Sequence, residues 1–120
     1  MSFVTAAPEG LFVRTFERGV GLTDSCGSAM AAAAHAACRT GRAAWDAPIT
    51  VRNRGGLVRA IAERPETGGW VTIEGNATFL YDAAIDIDPD SGEAEAPVIG
   101  ARRDDEAAAL DAARKGILAA

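Results

Sequence analysis

Residues 26–42, CGSAMAAAAHAACRTGR, constrain the fold of this chain more than any other stretch. Alanine is the strongest helix former, so residues 28–42 read as a helix closed by Gly41 as a C-cap. With alanine at most positions the helix has no polar face. That implies burial on most sides, and side chains this small let neighbouring backbone come close. The rest of the chain must therefore wrap a thin apolar rod.

The remaining sequence supplies strands to do so. LFVRTFE (11–17) alternates apolar and polar side chains and ends at Arg18-Gly19, with Gly21 and Gly27 then bracketing a short loop. PITVRNR (48–54), LVRAIAER (57–64), WVTIEG (70–75) and ATFLYDAAIDI (77–87) are rich in β-branched and aromatic residues. Gly55-Gly56 and Thr67-Gly68-Gly69 provide turns, which predicts an antiparallel meander. Asn53 and Asn76 read as turn residues. Trp70, Phe79 and Tyr81 read as core, and Arg52, Arg54, Arg59 and Arg64 as a solvated strand face.

Residues 89–103 turn to Pro, Gly, Ser and acid and read as a linker or edge segment. Residues 104–120 read as a surface helix, with Asp104 as N-cap, Arg114 and Lys115 in its last turn and Gly116 beyond them. The expectation is an α+β fold: a mostly antiparallel, curved sheet around a central Ala-rich helix over residues 1–88, then a linker and surface helix over 89–120.

Several function classes drop out on charge and composition. The chain has 120 residues, enough for one packed domain, and its 48% hydrophobic and 24% charged residues are globular values. A net charge of −5 offers no basic field for phosphate backbones or anionic lipid, so nucleic acid is excluded as a partner. The Ala-rich run is too short to cross a bilayer and carries His35, so no membrane is expected either. The start, MSFVTAAPEG, has no basic region ahead of a long apolar core, and a cytoplasmic location is the expectation.

Cys26 and Cys38 are twelve positions apart, roughly 18 Å along a helix, too far for a disulfide. With one histidine and no C-x-x-C there is no zinc-ligand set, and no metal is expected. Cys38, three turns into the helix, reads as packing, and His35 as an interior or interface residue.

Cys26 is different because it stands at the last loop position before the helix. Unpaired backbone N–H groups and the positive end of the helix dipole gather there, which favours the thiolate and also makes a pocket for a carboxylate or phosphate. A small buried hydrophobe is the alternative for any free cysteine. The glycines at 19, 21 and 27 and the ionisable pair Glu17-Arg18 in the same loop favour chemistry.

Glu17-Arg18-Gly19-Val20-Gly21, then Thr23, then Cys26-Gly27-Ser28 and a small-residue helix, resembles the active-site signature of the diaminopimelate epimerase family, cofactor-independent amino-acid epimerases of lysine and peptidoglycan biosynthesis. The resemblance covers residues 2–87, with Gly75-Asn76-Ala77 where the family commonly has Gly-Pro-Ala. It implies two thiols: one, as thiolate, removes the α-proton, and the other returns a proton on the opposite face. Cys26 matches one of the pair. By the same matching Gly27 and Ser28 bind the α-carboxylate, Glu17 and Arg18 bind the substrate's polar groups, and no cofactor is used.

Leu22 stands where the family usually has Glu, Asp24-Ser25 where it has a neutral residue and Ala, and Ala29 where it often has Gly. These departures bear on substrate specificity more than on reaction class. Family members are roughly twice this size, built from two similar halves with one thiol from each. The chain looks like the C-terminal half, which implies a partner, either a separate N-terminal half or a second copy, and no activity alone. Proline racemases and phenazine-pathway isomerases share the fold but fit the ERGVG signature less well. A purely nucleophilic or redox thiol lacks a nearby histidine or resolving cysteine.

Overall fold

The computed structural model describes residues 1–119. They divide into two compact units, Met1–Asn76 with the chain from Arg114 onward, and Ala77–Ala113. Residue 88, where the composition changes, lies inside the second unit.

The first unit contains β1 (Ser2–Ala7), β2 (Gly10–Glu17), β3 (Gly21–Thr23), α1 (Gly27–Arg39), β4 (Pro48–Asn53), β5 (Gly56–Ala62), a short 3₁₀ turn (Pro65–Thr67) and β6 (Val71–Gly75). The second holds β7 (Tyr81–Ala84) and β8 (Val98–Arg102), and α2 (Asp104–Ala119) begins in it. The α+β expectation holds.

The sheet of the first unit runs β1-β2-β4-β5-β6, with β3 pairing the far end of β2. β4, β5 and β6 form the antiparallel meander that their alternation predicts. β2 and β4, however, pair in parallel, Leu11 opposite Val51 and Phe12 opposite Arg52. Between them β3 turns the chain back along β2, and α1 then carries it across so that β4 enters the sheet in the direction of β2.

Period two puts Leu11 and Val13 of β2, Ile49 and Val51 of β4, and Ala60 and Ala62 of β5 on one face. Met30, Ala33, Ala34, Ala37 and Cys38 of α1 pack against it. Met30, Val13 and Val51 are the largest side chains to lose all contact with water. Each such apolar side chain contributes about 1.5–3 kcal/mol.

The buried residues of α1 recur at intervals of three and four, a single stripe, and Ala32 and Ala36 on the other side are exposed. The expectation of burial on most sides is corrected: one sheet face covers one helix face. Gly27 takes up the first helical position, and the helix stops at Arg39. Thr40 then caps it, and Gly41 adopts φ +71°, the left-handed conformation for which glycine is suited.

Gly10 shows the opposite constraint. It has φ +128°, and a Cβ there would collide with the Thr50 carbonyl oxygen of the neighbouring strand. Glycine is needed for both reasons.

Three further expectations change. Residues 77–87 do not extend the meander; only Tyr81–Ala84 is strand, and it pairs with β8, which lies in the segment expected to be linker or edge. Trp70, Phe79 and Tyr81 are not core, being 75%, 69% and 49% exposed. Trp70 stands just before β6, and Phe79 and Tyr81 lie in a unit with no fully buried side chain among the described residues. α2 runs through Gly116 instead of ending before it, since a single interior glycine costs only about 1 kcal/mol against alanine.

The second unit is held by polar contacts. Arg103 pairs with Asp82 at 3.3 Å, and the Phe79 amide donates to Glu106 at 3.2 Å. The Asp90 and Ser91 amides donate to the Asp88 carboxylate, which these bonds hold below the usual carboxylate range.

Candidate active site

The candidate site grows from the junction of β2, β3 and α1. Glu17 ends β2, Arg18 and Val20 form the turn, and the chain returns as β3 with Phe16 opposite Leu22. Gly19 at φ +82° and Gly21 at φ +95° make that return. A Cβ on either would meet nothing within 4 Å. Conformation, not close packing within this chain, requires both glycines.

Glu17 is partly buried, and its carboxylate accepts a hydrogen bond from the Thr23 hydroxyl at 2.7 Å across the β2–β3 pair. Arg18 is exposed, and among the described residues it makes no hydrogen bond or ion pair.

Cys26 is the residue at the entrance of α1, with extended backbone at φ −148°, ψ 103°. Its carbonyl accepts the first helical bond, from the Met30 amide at 3.0 Å. No side chain caps the helix and no acid occupies its first turn. The amides of Gly27, Ser28 and Ala29 therefore face outward without a carbonyl partner, at the positive end of the helix dipole. Cys26 is partly exposed, and its sulfur lies 3.4 Å from the Ser28 hydroxyl.

Cys26, Gly27 and Ser28 thus come together. No hydrogen bond or ion pair links them to Glu17 or Arg18 among the described residues.

Cys38 has the opposite surroundings. It is 4% exposed, donates its S–H to the Ala44 carbonyl at 3.3 Å, and burial, with the Asp46 carboxylate as a lesser influence, pushes its thiol above the usual range. His35 meets Trp45 edge to face at 5.3 Å, so both rings have packing roles. Among the described residues no group of three His, Cys, Asp or Glu could hold a metal. Among the described residues no helix is long and apolar enough to cross a membrane.

Asn53 is the residue that sequence reading missed. It is 4% exposed, not a solvated turn residue. Its amide donates to the Ser25 hydroxyl at 3.2 Å and to the Met30 sulfur at 3.0 Å, and its carbonyl accepts from the Gly55 amide at 3.0 Å. The same Gly55 amide donates to the Asp24 carbonyl at 2.8 Å. The available signal was phase: position 53 continues the inward set of Ile49 and Val51. The solvated-face reading of the arginines changes at Arg52, whereas Arg54, Arg59 and Arg64 are exposed. Arg52 is largely buried and donates to the Glu9 carbonyl, while Arg54 and Arg64 pair with Asp24 and Asp46.

No protein-family model matches the chain, and no solved structure matches it. Curated relatives do. It is 39% identical over 79 residues to the diaminopimelate epimerase of Clostridium acetobutylicum, covering 65% of this chain and 24% of that protein. With the diaminopimelate epimerase of Ligilactobacillus salivarius it shares 43% over 89 residues, 71% of this chain and 27% of the relative. The enzyme of the same name from Listeria monocytogenes is 36% identical over 93 residues, 76% of this chain and 28% of its own length. The chain spans about a quarter of the length of the curated relatives it matches. From the thiol at an open helix entrance and these identities together, the chain belongs to the diaminopimelate epimerase family.

Proposed function

We propose that this chain supplies one of the two thiols of an amino-acid epimerase that interconverts LL- and meso-diaminopimelate, and that it corresponds to the C-terminal half of such an enzyme. The single observation that carries this reading is the partly exposed Cys26 at the helix entrance, beside the unpartnered Gly27 and Ser28 amides. An α-carboxylate held by those amides brings the α-carbon within reach of the sulfur. As thiolate, Cys26 takes the α-proton, leaving the electron pair on the carbon. A protonated thiol on the opposite face then delivers its proton, and the configuration inverts. The amides and exclusion of water stabilise the carbanion, with no cofactor in the cycle. Glu17 and Arg18 bind the substrate's remaining polar groups.

The opposite thiol lies outside these residues, because Cys38 is buried on the packed side of the same helix. A separately supplied N-terminal half is the partner, and a second copy of this chain is the alternative. Exposed apolar residues around the β2–β3 turn support such an interface: Phe16 and Leu22, paired across the strands, are 48% and 59% exposed, and Val20 between them is 72% exposed. The assembly works in the cytoplasm.

The test is α-proton exchange of diaminopimelate in deuterated solvent. The chain alone is expected to give no exchange above buffer; robust turnover by the monomer would overturn the two-chain reading.

A further inference from the structure

Its own helix holds the thiol loop only at its last residue, through the Met30 amide on the Cys26 carbonyl. Between Thr23, the end of β3, and Gly27, the start of α1, residues 24–26 have no regular structure. What holds this loop is the end of β4, 28 residues away in sequence.

Two contacts do so. The buried Asn53 amide donates to the Ser25 hydroxyl, and the Gly55 amide donates to the Asp24 carbonyl at 2.8 Å. The Asn53 carbonyl takes the Gly55 amide as well, which fixes the two grips relative to each other. A Cβ on Gly55 would stand 2.8 Å from the Ser25 Cβ and 3.1 Å from the Asp24 oxygen, so the strand end and the loop are in direct contact. The remaining Asn53 bond, to the Met30 sulfur, ties the same side chain to the first turn of α1. One buried amide therefore touches the chain on both sides of Cys26.

Resting on the epimerase reading above, we propose that Asn53 is the positioning residue of Cys26: it acts through Ser25 and Met30 to keep the sulfur at the open amides of Gly27 and Ser28. A buried amide with its bonds made resists displacement, because a polar group left unpaired away from water is costly. A leucine at this position would fill similar space and keep the fold. It would leave Ser25 without its tie, with Asp24 still held by the Gly55 amide and Arg54, and the Cys26 carbonyl by the Met30 amide, and so loosen the chain that sets the sulfur at the helix entrance.

The test compares alkylation of Cys26 by iodoacetate, an anion, and by neutral iodoacetamide, each sulfur displacing iodide, with the modified residue located by peptide mass mapping. Buried Cys38 is the internal control for folding. In the unaltered chain the amides beside Cys26 draw the anionic reagent. In Asn53→Leu the iodoacetate-to-iodoacetamide rate ratio at Cys26 is expected to fall about three-fold or more while Cys38 stays unmodified.

Ser25→Ala removes only the acceptor and leaves Asn53 packed. It is expected to produce most of the same fall, with the double variant no worse than Asn53→Leu alone. Unchanged ratios in Ser25→Ala, or additive effects in the double variant, would overturn the proposal even if Asn53→Leu unfolds and exposes Cys38. Failure of the epimerase reading would show separately, as no α-proton exchange by the reconstituted wild-type assembly, whatever the alkylation ratios.

Discussion

Cys26 and Cys38 belong to one helix and differ in everything around their sulfurs. Burial holds the Cys38 thiol above its usual range, so the folded state keeps that proton longer than the unfolded chain does. Its contribution to stability is complete below the unfolded thiol's pKa and is lost as the pH rises through the folded one. Denaturant midpoints are accordingly expected to fall in alkaline solution above about pH 9, and Cys38→Ala is expected to flatten that slope. At Gly55, alanine would bring a methyl group 2.8 Å from the Ser25 Cβ. Urea unfolding of Gly55→Ala is expected to show a loss of about 1–3 kcal/mol, the usual penalty of an overpacked site. The contiguous run from Glu17 to Ser28 was legible as a site because its residues lie close in sequence. Asn53 was not: its phase with Ile49 and Val51 marks it as inward, but the hydrogen bond that ties it to the thiol loop is to a residue 28 positions away.

Among the elements, α1 shows where sequence patterning stops informing. Alanine is apolar yet small enough to sit exposed without penalty, so a run of it does not say which face is covered. In the fold Ala34 is fully buried and Ala36 is exposed. Ala34→Leu is expected to destabilise the chain by about 1–3 kcal/mol or more, because added carbons must displace a close-packed sheet face. Ala36→Glu should stay within about 0.5 kcal/mol of wild type. Thermal melts of the two variants check both, and equal losses would restore burial on all sides. Strand alternation was informative for β4 and β5, whose inward residues keep phase. It could not reveal that β2 joins β4 in parallel, since side-chain alternation is the same in either direction. Nor did it separate residues 77–87 from the meander, where apolar side chains pair with β8 without forming a buried core.

At the scale of the whole molecule, the proposed function gives this chain one face of a reaction that needs two. The exposed apolar side chains at Phe16, Val20 and Leu22 surround the same turn that carries Glu17 and Arg18. Leu22→Asp is expected to weaken association with an N-terminal half about ten-fold or more in sedimentation or titration calorimetry, with the fold intact by circular dichroism. The most direct measurement is deuterium incorporation at the α-carbon of diaminopimelate by this chain mixed with the N-terminal half of a relative, with Cys26 either intact or replaced by serine. Exchange with the intact thiol and a loss of roughly 10²–10⁴-fold or more with Cys26→Ser is the expected result. Exchange of equal rate in both mixtures would contradict the assignment of Cys26 as the acid–base group of this half.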